Sequence, residues 1–151
     1  MKDLTILIKT FMRPKCLIRL LKSIDKLYPE CLIVIADDSQ NSSRELIHNQ
    51  FKNLKITYVE LPFNSGLSKG RNACFEHITT PYFVLCDDDF EFDKKTDLFA
   101  AHQIIISKDL DILGGFVRNL PLIKSKHGIT QKLKRSLYLL IGKSKPHNYL
   151  G

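Results

Sequence analysis

The chain has 151 residues, 44% hydrophobic and 26% charged, which is enough apolar material for one packed core and too little length for two comfortable domains. Those proportions exclude a wholly disordered chain, and no apolar run approaches the ~20 residues that a bilayer-spanning helix needs. The formal charge is +7, yet all 16 acidic residues lie at or before Asp111 while eight of the 23 Lys and Arg follow it, so the basicity belongs to the C-terminal stretch.

That asymmetry predicts a near-neutral domain over residues 1–119 and a basic extension over 120–151. Such an extension either stays solvated or attracts nucleic acid, anionic lipid or an acidic partner. A strand-like segment begins almost at once after Met1, leaving no room for a signal peptide, so the expected location is cytoplasmic with at most peripheral membrane contact. Cys16, Cys31, Cys74 and Cys86 form no CxxC pair, which predicts reduced thiols rather than a zinc or redox site.

Taken in chain order, "LTILIKT" at 4–10 is apolar throughout, as in a parallel strand covered on both faces. Pro14 suits the first turn of a helix. Leu17, Leu20, Leu21, Ile24, Leu27 and Tyr28 follow at helical spacing, with Lys15, Arg19, Lys22 and Lys26 mainly on the other face. "LIVIADDS" at 32–39 is a second buried strand that ends in two carboxylates. A short helix over 43–51 and a strand over 55–61 follow. The turn formers Pro62, Asn64, Ser65 and Gly66 precede a helix to about Ile78, and "YFVLC" runs into Asp87, Asp88 and Asp89. Asp97 is placed to cap a helix to about Ser107, and "LDILGGFV" at 110–117 reads as a further strand with a glycine break.

Strands alternating with helices predict an α/β fold with a mostly parallel sheet, whose ligands gather at the carboxyl ends of the strands. Asp37–Asp38 and Asp87–Asp89 both lie at such ends and can face one crevice. In an extended segment Asp87 and Asp89 point one way and Asp88 the other. Hard carboxylate oxygens at that spacing suit Mg²⁺ or Mn²⁺ with a substrate diphosphate, although a phosphoacceptor receiver domain gathers carboxylates in the same way and runs of Asp also occur in plain turns. "NSGLSKGRN" brings backbone N–H groups, Lys69 and Arg71 to a helix start, where they can meet an anion or pair with a structural carboxylate.

"TILIKTFMRPKCLIRLLKSI", "LIVIADDS", "NSGLSKGRN" and "YFVLCDDDFEF", in this order and spacing, resemble the nucleotide-sugar-binding half of GT-A glycosyltransferases related to family 2, over residues 3–119. Within that group the chain looks closest to the ganglioside-type β-1,4-N-acetylgalactosaminyltransferases, which share "KTF.R", "VIADDS", "GRN", "DDDF" and a later "GG.VR". The resemblance implies a Rossmann-like GT-A fold truncated on the acceptor side and a UDP-sugar donor. It also implies a glycan or glycolipid acceptor and an inverting transfer to its hydroxyl. By the same resemblance Asp38 accepts from the uracil, Lys9, Thr10 and Phe11 line the base pocket, and Arg71 contacts nucleotide or phosphate. Asp87 and Asp88 approach ribose and sugar, and Asp89, with Asp87, binds Mn²⁺ or Mg²⁺. The family's base is a carboxylate from the acceptor half, but no Asp or Glu follows Asp111; His127 and His147 are candidate bases there, and the pattern permits an inactive or partner-dependent donor-binding module.

In the extension, Leu133, Leu137, Leu140 and Ile141 recur at helical spacing among Lys132, Lys134 and Arg135. The pattern predicts a basic amphipathic helix that lies on an anionic membrane, packs on the domain or covers a sheet edge. No aromatics interleave with the basic residues in the manner of single-strand binders, which argues against nucleic acid.

Overall fold

The computed structural model describes residues 2–116 and 138–144. Six strands form one sheet in the order β3-β2-β1-β4-β6-β5. The strands are β1 (Leu4–Thr10), β2 (Leu32–Asp37), β3 (Lys55–Glu60), β4 (Tyr82–Asp87), β5 (Ile112–Phe116) and β6 (Tyr138–Lys143). β1 runs parallel to β2 and β4, and β2 parallel to β3, whereas β6 is antiparallel to both β4 and β5. The helices are α1 (Pro14–Leu27), α2 (Arg44–Gln50), α3 (Leu67–Phe75) and α4 (Leu98–Ser107). This is the predicted α/β architecture, a mostly parallel Rossmann-like sheet flanked by helices.

Every residue of β1 is buried, because helices cover both of its faces. Leu4, Ile6 and Ile8 pack with Leu17, Leu20, Leu21 and Ile24 of α1, joined by Ile47 of α2 and Leu98 and Ile105 of α4. The alternate residue Leu7 turns to the opposite face and packs with Val34, Ala36 and Cys74 of α3. Asp97 caps α4 as its position predicts, accepting from the Ala100 N–H at 2.8 Å. α3 stops at Phe75 rather than Ile78, since His77 and Ile78 donate to carbonyls three residues back and tighten the end of the helix.

The extension departs from the predicted helix. Leu140 and Ile141, two members of the helical stripe, lie on β6, while Leu133, Leu137 and the intervening basic residues fall outside the described residues. A short apolar run such as "YLLIGK" satisfies either periodicity, and the open edge of β4 decides between them by offering unpaired backbone groups. Ile141 is buried opposite Val84 and Leu113. Gly142 lies under Phe83, whose ring an added Cβ would approach to 2.6 Å. The sheet thus takes a strand, residues 138–143, from beyond the boundary drawn at residue 119, by pairing with β4 rather than by laying a helix over its edge. The four cysteines are free, with Cys31, Cys74 and Cys86 buried. Among the described residues no helix is long and apolar enough to cross a membrane.

Candidate nucleotide-sugar site

Parallel pairing brings the two acidic clusters together. Thr10 pairs with Asp37 across one side of β1 and Lys9 with Asp87 across the other, so carboxylates 50 residues apart in sequence flank the same strand end.

Asp37 is a structural hub. It is buried, and its carboxylate accepts from the Ser39 N–H at 2.9 Å and the Ser39 hydroxyl on one oxygen. The other oxygen accepts from the Tyr58 hydroxyl at 2.6 Å and the Ser43 N–H at 3.3 Å. Burial, then the neighbouring Asp37 carboxylate, pushes the Tyr58 hydroxyl well above its ordinary pKa.

Asp38 is buried as well, at 1% exposure, but it is tied to the other predicted base-pocket residues. One oxygen pairs with the Lys9 ammonium and the other accepts from the Gly66 N–H at 2.9 Å. Its carbonyl accepts from the Asn64 N–H at 3.0 Å, so the strand end and the turn before α3 are locked together. Burial opposes ionisation of Asp38, yet the Lys9 and Gly66 donors outweigh it and hold the carboxyl below the usual carboxylate range. Lys9 also donates to the Thr10 carbonyl at 3.0 Å and lies 5.1 Å from the centre of the Phe11 ring. Phe11 in turn faces Phe63 at 5.7 Å. The Lys9 stem crosses α3 at Gly70, where a Cβ would come within 2.5 Å of its Cγ.

The triplet follows the predicted alternation. Side-chain exposures are 27% for Asp87, 0% for Asp88 and 39% for Asp89, so the outer two reach solvent and the middle one points inward. Arg71 pairs with Asp87 Oδ1 at 2.9 Å. Thr10 donates its hydroxyl to Asp88 Oδ2 at 2.8 Å. Arg13 spans the remaining pair, with one guanidinium nitrogen 2.9 Å from Asp88 Oδ1 and another 3.1 Å from Asp89 Oδ2. The Asp88 Oδ1 contact is an ion pair off the hydrogen-bonding direction, which leaves that buried oxygen without a hydrogen bond. Burial raises the Asp88 pKa, and Thr10 and Arg13 only partly offset it. Arg19 donates to the Asp89 carbonyl at 3.2 Å, and the buried Phe90 and Phe92 anchor the loop from below.

Lys9, Thr10, Phe11, Asp38, Arg71 and Asp87–Asp89 are therefore all brought to one edge. Asp88, expected beside the sugar, offers no exposed side-chain surface, and both Asp38 oxygens already have a donor. Sequence reasoning missed Arg13 as the partner of the triplet, although its place in "KTFMRP" just ahead of α1 was a usable signal. His127 and His147 lie outside the described residues. Among the described residues no group of three or more His, Cys, Asp or Glu is arranged to hold a metal ion.

Comparison with known proteins identifies the family and the fold. Residues 5–119 match the sequence pattern of glycosyl transferase family 2. The chain is 37% identical over 114 residues to mouse β-1,4 N-acetylgalactosaminyltransferase 2, covering 76% of this chain and 21% of that enzyme. It is also 37% identical over 119 residues to human β-1,4 N-acetylgalactosaminyltransferase 1, covering 77% and 21%. The chain thus spans about one fifth of the length of these relatives. Among solved structures, residues 1–349 of S. aureus TarS in complex with UDP-GlcNAc superpose with a TM-score of 0.64 at 21% identity, over 83% of this chain and 39% of that 1–349 chain. A mannosyltransferase from Pyrobaculum calidifontis bound to GDP-Man and Mn2+ gives 0.63 at 17% identity, over 73% and 34%. With this fold, this match over most of its length and these relatives, the chain belongs to glycosyl transferase family 2 and carries the donor-side portion of its GT-A fold.

Proposed function

We propose that the chain is the UDP-sugar-binding half of a transferase, and that transfer of the sugar to an acceptor hydroxyl depends on an acceptor half supplying the base. The observation that carries this reading is the convergence of Asp38, Arg71 and the triplet on one strand edge, beside the exposed aromatic ring of Phe63. The match to glycosyl transferase family 2 over residues 5–119 favours donor binding over the phosphoacceptor alternative.

In this reading Lys9 and Gly66 hold Asp38 ionised beneath the uracil pocket, and Phe11 lines it. Arg71 presents charge to the nucleotide. Asp88 acts from beneath, fixing Thr10 and Arg13 through its two oxygens. The residues fit a divalent cation: Mn²⁺ or Mg²⁺ beside a diphosphate needs only one or two carboxylates, and Asp89, with Asp87, offers hard oxygens that are part-exposed. A bound cation supplies positive charge where the departing diphosphate gains negative charge. Inversion at the sugar carbon requires a base on the acceptor face, and no Asp or Glu after Asp111 provides one. N-acetylgalactosamine is the first sugar to test, given the relatives, with a glycan or glycolipid hydroxyl as acceptor. A peripheral membrane contact would rest on the basic extension, and liposome sedimentation with and without residues 121–151 tests it.

Titration calorimetry with UDP and UDP-sugars, with and without Mn²⁺, tests the donor site. Asp89→Asn is expected to remove the metal-dependent part of UDP binding, and Asp38→Ala to weaken binding in both conditions. Unchanged binding in both variants would remove the site assignment.

A further inference from the structure

The triplet already has an internal cation, and its geometry is unequal. Arg13 lies at the start of α1, directly after Met12, whose φ of 54° turns the chain sharply out of β1. The Met12 N–H donates to the Ser39 hydroxyl at 2.6 Å, and Ser39 is itself bound to Asp37, so the turn that aims Arg13 is pinned from the neighbouring strand end. One arm of the guanidinium meets buried Asp88 at 2.9 Å and the other meets half-exposed Asp89 at 3.1 Å. The first arm faces a carboxylate with no access to water, which cannot give up its cation cheaply. The second contact is solvent-screened and readily exchanged.

We propose that Arg13 is a positioning residue that stands in for the divalent cation at Asp89 and makes metal binding conditional on the nucleotide; this rests on the donor-site reading above. Without a diphosphate, a cation approaching Asp89 meets the Arg13 charge and must displace its outer arm. With a diphosphate present, the added negative charge accommodates both cations, the inner arm stays on Asp88, and Asp89 is released to the metal. Arg13 thereby lowers affinity for the free ion and raises the factor by which UDP enhances it.

The test measures free Mn²⁺ by electron paramagnetic resonance in titrations of the full-length chain, with and without UDP, for the wild type, Arg13→Gln and Arg13→Lys. A lysine ammonium reaches one carboxylate at a time, so Arg13→Lys keeps a cation beside Asp88 while releasing Asp89. Both variants are expected to bind Mn²⁺ about three- to fivefold more tightly than wild type without UDP, the scale of a half-exposed ion pair. UDP should then enhance that affinity by a correspondingly smaller factor. A purely structural role for Arg13 predicts weaker Mn²⁺ binding in Arg13→Gln and recovery in Arg13→Lys. Should Arg13→Gln fail to fold, Arg13→Lys alone decides. If the wild type shows UDP-dependent Mn²⁺ binding but affinity without UDP is unchanged or weakened in Arg13→Lys, the Arg13 proposal is overturned and the donor site stands. If the wild type shows no UDP-dependent Mn²⁺ binding, both fall.

Discussion

Replacing Lys9 by Met keeps the stem that crosses α3 and removes the ammonium, leaving Asp38 at 1% exposure with the Gly66 N–H as its remaining side-chain partner. Losing one partner of a buried pair costs about 3–5 kcal/mol, a large share of the ~5–15 kcal/mol that holds a domain together. The cost depends on pH, and its sign follows from Asp38. In the wild type its pKa is held below the unfolded value, so the pair contributes stability that is present above about pH 4 and lost as pH falls through the folded pKa. In Lys9→Met the buried carboxyl loses its cation and its folded pKa moves above the unfolded value, so the penalty is greatest at neutral pH and is relieved as Asp38 takes up a proton. Relief of the mutant's penalty shrinks the gap between the two proteins already between pH 7 and pH 4.5, and loss of the wild-type pair adds to this only below about pH 4. Urea unfolding at pH 7 and pH 4.5 reads this directly, with the largest difference expected at pH 7. An equal loss at both pH values would show that Lys9 matters for packing rather than charge. A Lys9→Met/Asp38→Leu double variant should recover most of the stability at pH 7, because no unpaired charge remains.

Gly70→Ala sets two effects against each other: alanine gains up to about 1 kcal/mol in a helix interior, but its Cβ would meet the Lys9 stem at 2.5 Å, and overpacking costs about 1–3 kcal/mol. Net destabilisation with weaker UDP binding is expected in urea unfolding and calorimetry, and a more stable variant with unchanged binding would contradict it. Ile141→Ala removes a side chain buried at 2% exposure between Val84 and Leu113 and should cost about 2–4 kcal/mol, whereas an extension docked loosely on the domain would lose far less. Native-state thiol labelling at pH 8 should modify Cys16 and spare Cys31, Cys74 and Cys86, because the last three are buried and burial pushes Cys74 up to about 11; rapid labelling of all four would count against the core packing.

The parts legible in the sequence are those where one local rule dominates. β1 and β2 are buried on both faces and read as mainly apolar runs with polar residues at their carboxyl ends, α1 shows a single apolar stripe, and Asp97 marks a helix start. The edge that gathers the carboxylates followed from parallel strands ending in Asp38 and in Asp87–Asp89. Two things were not legible. Asp37 and Asp38 are chemically identical neighbours, and only the tertiary positions of Tyr58 and Lys9 separate a loop-holding carboxylate from one tied to Lys9 and the turn before α3. β6 was hidden because its pattern fits helix and strand alike, and its partners lie in β4 and β5 rather than beside it in the chain.

The placement of β6 dictates the order in which the chain can be assembled during translation. β5 leaves the ribosome before β6, yet among the described residues β6 is its only neighbour in the sheet, so that seat for β5 is not complete until residue 143 has been made. The four parallel strands can close first around α1, and the last two must arrive as a late hairpin-like pair, the distant strand entering ahead of the earlier one. A nascent chain halted at residue 119 would therefore expose the raw edge of β4, the surface through which incomplete sheets stick to one another.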